Sequence, residues 1–325
     1  MNFTKKLLTL ILAATTLSSV AQQNKPDFEY TQISGVGYEK GCTRRDPSDI
    51  IRVGDKYYIY YTKVYGKASG YWGTIWCAVS EDQGYNWKEV GEVLGVGEEG
   101  TFDSQATFTP NIIYHKGKYY MYYTGVCPTP SREDGVFENN STNDYTNIGV
   151  AVSDTPDGKF ERVNPEPILR PSTNLKAFDS YRIDDAVMLY KDKKFWLYYK
   201  GRCMMDGING PAHTQMGVAF AEDPTAPFTK YGDPILAKGH EVMVWQENGA
   251  IQALASISST IEQAPDGLDF TSQPLNKKVE NRPNAPGAFR EELTNPKAKN
   301  KGLEWGISMI HNGDECYLVR FSYNK

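Results

Sequence analysis

Three stretches of the chain repeat one another: DIIRVGDKYYIYYTK at 49–63, NIIYHKGKYYMYYTG at 111–125 and AVMLYKDKKFWLYYK at 186–200. In each, an apolar run meets a short charged turn and then a run dense in aromatic residues, the pattern of a β-hairpin. Two weaker copies follow, VMVWQENGAIQALAS at 242–256 and GISMIHNGDECYLVRFS at 306–322, the last with Asn312-Gly313 at its turn. After each of the first three hairpins comes a further strand, within IWCAVSEDQGYNWKEV, NIGVAVSDTPDGKFERV and QMGVAFAEDPTAPFTKY. Asp, Gly and Pro then turn the chain into a short fourth strand. A repeating unit of about four strands is a propeller blade. Five such units occupy 22–325, so the sequence predicts an all-β fold, a five-bladed β-propeller in one domain. The FEYTQIS segment (28–34) is then a spare strand that completes the last blade and closes the ring. A two-sheet sandwich also uses many short strands, but it does not call for the repeat. No stretch of helical period and no Pro-, Gly- or Ser-rich linker divides the chain.

Residues 1–21 stand apart from this pattern. Lys5 and Lys6 precede an apolar run from Leu7 to Val20, short for a bilayer span, and Ser19-Val20-Ala21 offers a small-residue cleavage site. The expectation is an export signal and a periplasmic or secreted protein, with no membrane attachment after cleavage. The 325 residues carry 35 Lys plus Arg against 40 Asp plus Glu, a formal charge of -5. No basic run is present to neutralise a phosphate backbone, so nucleic acid is not the expected partner. Tyr, at 22, outnumbers the 13 Phe and 6 Trp combined, which favours strands and flat, hydroxyl-edged surfaces suited to sugars. The five cysteines, Cys42, Cys77, Cys127, Cys203 and Cys316, are odd in number and lack CxxC spacing. They read as buried small side chains, with export permitting one disulfide.

In a propeller the first strand of every blade runs beside the axis, so equivalent strand starts converge at one end of the central channel. The residues before the first strands are Asp46, Thr109, Asp185, Glu241 and, for the last hairpin, Gly306. Carboxylates from three blades therefore meet in one pocket, with His240 beside Glu241. Like charges held close raise at least one pKa, an arrangement that serves a proton donor and a proton acceptor across a glycosidic bond. Each residue also has an ordinary reading. Asp46 before Pro47 could start a turn, Asp184 and Asp185 could be a solvated pair, and Glu241 could pair with Arg44, Arg45 or Arg182. His115, His213 and His311 lie in or beside turns and loops and are weaker candidates.

The strings TRRDPSDIIRVGDKYYIYYTK, FDSQATFTPNIIYHKGKYYMYY, FDSYRIDDAVMLYKDKKFWLYYKG and GHEVMVW resemble glycoside hydrolase family 117, the α-1,3-3,6-anhydro-L-galactosidases of agar-derived oligosaccharides. The resemblance runs from about residue 41 to the end of the chain, within a wider five-bladed group that includes glycoside hydrolase family 43. It implies that Asp46 is the general base activating water, that Asp185 orients the sugar and tunes the donor, and that His240 is the general acid with Glu241 beside it. An inverting, direct displacement by water would follow. Three positions depart from the family motifs: Asp184-Asp185-Ala186 replaces His-Asp-Pro, Thr109-Pro110-Asn111 replaces Thr-Pro-Glu, and Gly306-Ile307-Ser308-Met309 lacks a His.

Arg45, Gln105, Thr109, Asp184, Lys200 and Trp245 are the candidate substrate-binding residues, with Arg202 a further polar candidate. Trp72, Trp76 and Tyr181 are aromatics that could stack on a sugar face or simply pack a blade. The ring of acids permits a divalent cation on the propeller axis, although no ligand spacing specifies one. Two other readings stand beside the first. One is a family 43-like arabinofuranosidase or xylosidase with Glu241 as the acid, and the other a noncatalytic glycan-binding propeller.

Overall fold

The computed structural model describes residues 27–65, 73–127, 145–271, 277–295, 297–298 and 301–325. The expected export signal and Trp72 lie outside them. Five antiparallel sheets carry the chain around an axis, as the repeats predict. In the first blade the inner strand comes in two pieces, Cys42–Arg45 and Ile51–Val53, both paired with Lys56–Tyr65, and Thr74–Ser80 and Trp87–Leu94 follow outward. The second and third blades start on Ala106–His115 and Arg182–Lys191, and the fourth on Val242–Glu247.

The fifth blade corrects the sequence reading. Its inner strand is Asn284–Ala288, and the 306–322 hairpin supplies the second and third strands, Trp305–Asn312 and Glu315–Tyr323. The residue at the axis is therefore Ala285, and Gly306 is one strand further out, paired with Ala288. The inner strand reads Asn-Ala-Pro-Gly-Ala, with neither apolar alternation nor β-branched residues, so it carries no local strand signal.

Phe28–Gln32 is the outermost strand of this last blade, paired antiparallel with Glu315–Tyr323 from Phe28↔Tyr323 to Gln32↔Val319. This strand thus closes the ring. Phe28 is fully buried, its ring 5.6 Å from Phe321 and 4.9 Å from Tyr323. Phe28→Ala is expected to cost about 3–5 kcal/mol, because it empties the closure at its packed end. Chemical denaturation of the two proteins measures this, and a loss below about 1 kcal/mol would mean that the strand's hydrogen bonds alone hold the ring.

The repeat extends to side chains. Phe102-Asp103 and Phe178-Asp179 enter the second and third blades in the same way. Asp103 accepts hydrogen bonds from Tyr123 Oη at 2.8 Å and Arg162 Nε at 2.6 Å. Asp179 accepts them from Tyr199 Oη at 2.9 Å and Lys230 Nζ at 2.5 Å. Each buried carboxylate ties the approach to the axis to its blade's second and fourth strands. Phe178 and Tyr199 cover Gly217 so closely that a Cβ there would lie 2.4 Å from the Phe178 ring, and Phe102 and Tyr123 cover Gly149 in the same manner.

All five cysteines are free, three of them buried, and no disulfide forms among the described residues.

Candidate active site

Asp46, Thr109, Asp185, Glu241 and Ala285 share one backbone feature, a positive φ of 49°, 46°, 54°, 48° and 38° in turn. None is glycine, so each pays a local steric cost in the left-handed region. The strand registers slip at the same places, between Phe108 and Asn111, Asp184 and Val187, and Asn284 and Gly287. In these three inner strands a bulge turns one side chain out of the pleat and toward the axis, while Asp46 lies between the two pieces of its strand and Glu241 just before its own. Four of the five positions are therefore the ones that the repeat marked, and they line one axial channel together with Asp49 and Asn111.

Above this channel opens a cleft of about 260 Å3, whose walls include Arg45, Asp46, Thr109, Asp185, Lys200, His240 and Glu241. Arg45 Nε donates to Asp46 Oδ2 at 2.7 Å, and Asp46 is only 6% exposed. Lys200 Nζ lies 2.7 Å from Asp185 Oδ2 and 3.0 Å from Asp184 Oδ1, while Arg182 Nη2 lies 3.1 Å from Asp184 Oδ2. Glu241 Oε1 is 3.4 Å from His240 Nε2, and its Oε2 accepts the Ala285 N–H at 3.2 Å. Glu241 thus pairs with its own neighbour. Arg44 is engaged by Glu39 and Glu89, Arg45 by Asp46, and Arg182 by Asp184.

These partners separate the acids. Burial pushes Asp185 up to about 6, with Asp184 and Glu241 adding to the rise and Lys200 opposing it. Asp184 is just as buried, yet Lys200 and Arg182 outweigh that burial and hold it below the usual carboxylate range. Burial also works against the Glu241 anion, but the facing His240, with help from Lys200 and Ser256, brings it down to about 2. Glu241 is thus held below the usual carboxylate range by the imidazole it faces. His240 Nδ1 has no hydrogen-bond partner among the described residues. The cleft combines a buried carboxylate that can accept a proton with an imidazole that can donate one.

Asp184 has no exposure and is not among the residues of the cleft wall, and its Oδ1 lies behind the cleft, 3.0 Å from Lys200 Nζ. Because Asp184 raises Asp185, Asp184→Asn should lower the Asp185 pKa from about 6 and leave Lys200 to Asp185 alone. A carboxyl group is charged above its pKa, so an acid limb of kcat/KM set by Asp185 ionisation should lie near pH 6 in the wild type and move to lower pH in the variant. A limb that stays in place or rises would assign it to another group.

Two other expectations are corrected. Trp245 is 2% exposed and packs in the core with Phe28, Leu254 and Phe321, its Nε1 donating to Glu247 Oε2 at 2.9 Å, and it is absent from the cleft wall. Gln105 precedes the inner strand of the second blade, its N–H bonded to the Val126 carbonyl, and it is absent from the cleft wall. Tyr181 and Arg202 are buried as well, the guanidinium 5.9 Å over the Tyr181 ring. Trp76 lies under Lys63, whose Nζ is 3.9 Å from the ring centre.

The structure adds cleft residues that pattern reading passed over, namely Phe108, Ser256, Ile257, Asn284, Met309 and His311. His311 was discounted as a residue beside a turn. That turn lies at the cleft because the last hairpin forms the second and third strands, whose connection returns to the axial end where the inner strands begin.

The acids do not fit a resident divalent cation. Asp49 is matched by Arg290 Nη1 at 2.8 Å, Asn111 Nδ2 at 3.2 Å and the Ala288 N–H at 2.9 Å. Asp46, Asp185 and Glu241 face Arg45, Lys200 and His240 in turn. A hard cation needs several oxygens converging on one point, and no group of three or more His, Cys, Asp or Glu side chains does so among the described residues.

A family model described as glycosyl hydrolases family 43 matches residues 42–187, from the first blade into the third. The xylosidase/arabinosidase 43A of Humicola insolens is 35% identical over 126 residues, 37% of this chain and 31% of that protein. The chain thus spans about a third of that relative's length. Among solved structures, a family 117 glycoside hydrolase from the marine bacterium Zobellia galactanivorans matches with a TM-score of 0.76 at 27% identity, over 91% of this chain and 90% of that one. A thermostable family-43 glycoside hydrolase shares the fold, with a TM-score of 0.59 at 17% identity over 91% of this chain and 94% of that one.

Proposed function

We propose that this chain, a glycoside hydrolase of the five-bladed propeller type shared by families 117 and 43, removes a terminal 3,6-anhydro-L-galactose-like residue from agar-derived oligosaccharides. The observation that carries the reading is the convergence of Asp46, Asp185, His240 and Glu241 on one cleft, with His240 Nε2 3.4 Å from Glu241 Oε1. The family 117 resemblance implies that His240 gives the proton to the leaving oxygen, and the lowered Glu241 beside it is in keeping with that role. Asp46 takes a proton from water, the water oxygen bonds to the anomeric carbon, and the glycosidic C–O bond breaks. The electron pair of that bond leaves on the oxygen that His240 protonates, with inversion at the anomeric carbon.

The shape of the cleft supports an exo-acting enzyme. At about 260 Å3 it lies just below the roughly 300–1,000 Å3 of most small-molecule clefts, room for one terminal sugar. Phe108, Ile257 and Met309, from the second, fourth and fifth blades, add apolar atoms to the lining, suited to the hydrocarbon side of an anhydro bridge. The charged pattern of residues 1–21 supports export to the periplasm or medium, where such oligosaccharides would be met.

The test is product release from neoagarobiose and longer neoagaro-oligosaccharides by the purified protein, run beside arabinosyl and xylosyl substrates. Release of the anhydrosugar is the expected result. Cleavage confined to pentosyl substrates would select the family 43-like reading, which the match to the xylosidase/arabinosidase favours. Binding without product in every case would leave a glycan-binding propeller.

A further inference from the structure

The hairpin of the fifth blade brings to the cleft a group that the proton transfers do not use. His311 is exposed and lines the same cleft as Asp46, Asp185 and Glu241. Directly across the hairpin stands Cys316, whose Sγ is 3.3 Å from His311 Nδ1. Cys316 is 6% exposed, and its N–H is bonded to Thr43 Oγ1 of the first blade, so the pair is braced from behind.

We propose that His311 recognises the terminal sugar by donating a hydrogen bond from Nε2 to a saccharide hydroxyl, and that Cys316 holds the ring in the tautomer that permits this. The proposal rests on the reading of this cleft as a glycoside site. A neutral imidazole has one donor and one acceptor, and the partner of one nitrogen decides where the proton sits on the other. Burial pushes the Cys316 thiol up to about 11, Arg45 opposing and Asp46 and Glu241 adding to the rise, so the group is S–H at neutral pH. An S–H that donates to Nδ1 leaves the ring proton on Nε2. A sugar hydroxyl accepts as readily as it donates, so an N–H fixed in one place selects among the hydroxyls offered to it.

Two measurements test this. In steady-state kinetics with the best-cleaved glycoside, His311→Ala should raise KM about tenfold and affect kcat less, while His311→Gln, which keeps an N–H donor, should stay within about threefold. Cys316→Ser, which keeps a donor at Nδ1, should resemble the wild type, and Cys316→Val should shift toward His311→Ala. In the unliganded protein, 15N NMR of the ring, identified by its loss in His311→Gln, should find the proton on Nε2. An unchanged KM in His311→Ala overturns the recognition role, and a proton on Nδ1 overturns the tautomer whether or not any glycoside is cleaved. Failure of the wild type on every glycoside would instead reject the glycosidase reading. Saccharide titration of wild type and His311→Ala by calorimetry would then carry the recognition test, equal affinities overturning it.

Discussion

An Asp46→Asn variant is expected to lose about 10²- to 10⁴-fold in kcat while it still binds its oligosaccharide and melts near the wild-type temperature. The substitution preserves shape and removes only basicity. The amide oxygen can accept the Arg45 Nε–H that now meets Asp46 Oδ2 at 2.7 Å. The backbone should not object, because φ is 49° at this position and Asn is among the residues that tolerate the left-handed region best. The lost function is acceptance of a proton from water in the transition state, so the loss should fall on kcat with KM little changed. Reducing-sugar assays beside thermal melts and calorimetric binding separate these quantities. Activity within a few-fold of wild type would move the base elsewhere, with Asp185 the next carboxylate in the cleft.

The second large effect is a contrast between neighbours. His240→Ala should lower turnover of natural oligosaccharides by about 10²-fold or more, and far less for an aryl glycoside whose leaving group departs without a proton. Glu241→Gln should fall less on natural substrates. It keeps an acceptor for the Ala285 N–H and loses only the anion 3.4 Å from His240 Nε2. The asymmetry is in keeping with Glu241 held below the usual carboxylate range by the imidazole it faces. The reverse outcome, a crippled Glu241→Gln with His240→Ala tolerated, would assign the proton to Glu241 and the chemistry to the family 43 pattern. Running both variants on natural and aryl substrates distinguishes a missing acid from a disturbed pocket, since a disturbed pocket would penalise both substrates alike.

Much of the site was legible because the repeat is legible. Strand alternation is local, so the hairpins at 49–63, 111–125 and 186–200 announce themselves, and the residue before each inner strand can be read by counting. Asp46, Thr109, Asp185 and Glu241 come out in register for this reason, and the positive φ they share is the backbone expression of that equivalence. Ala285 escaped because its strand, NAPGA, packs between its neighbours without an apolar signature of its own. Trp245 was misread because strand position alone does not say which face meets the next blade.

The sequence by itself determined the all-β class, the five-fold repeat, the closing strand and the convergence of carboxylates on one axis, since all of these follow from periodicity and order along the chain. Only the tertiary structure decided which base faces each acid, with Arg45 on Asp46, Lys200 shared by Asp184 and Asp185, and His240 on Glu241. It alone placed Asp184 behind the cleft and His311 on its wall. Charge and solvation at a buried group are set by whatever lies within a few ångströms in space, and around this axis those neighbours arrive from different blades.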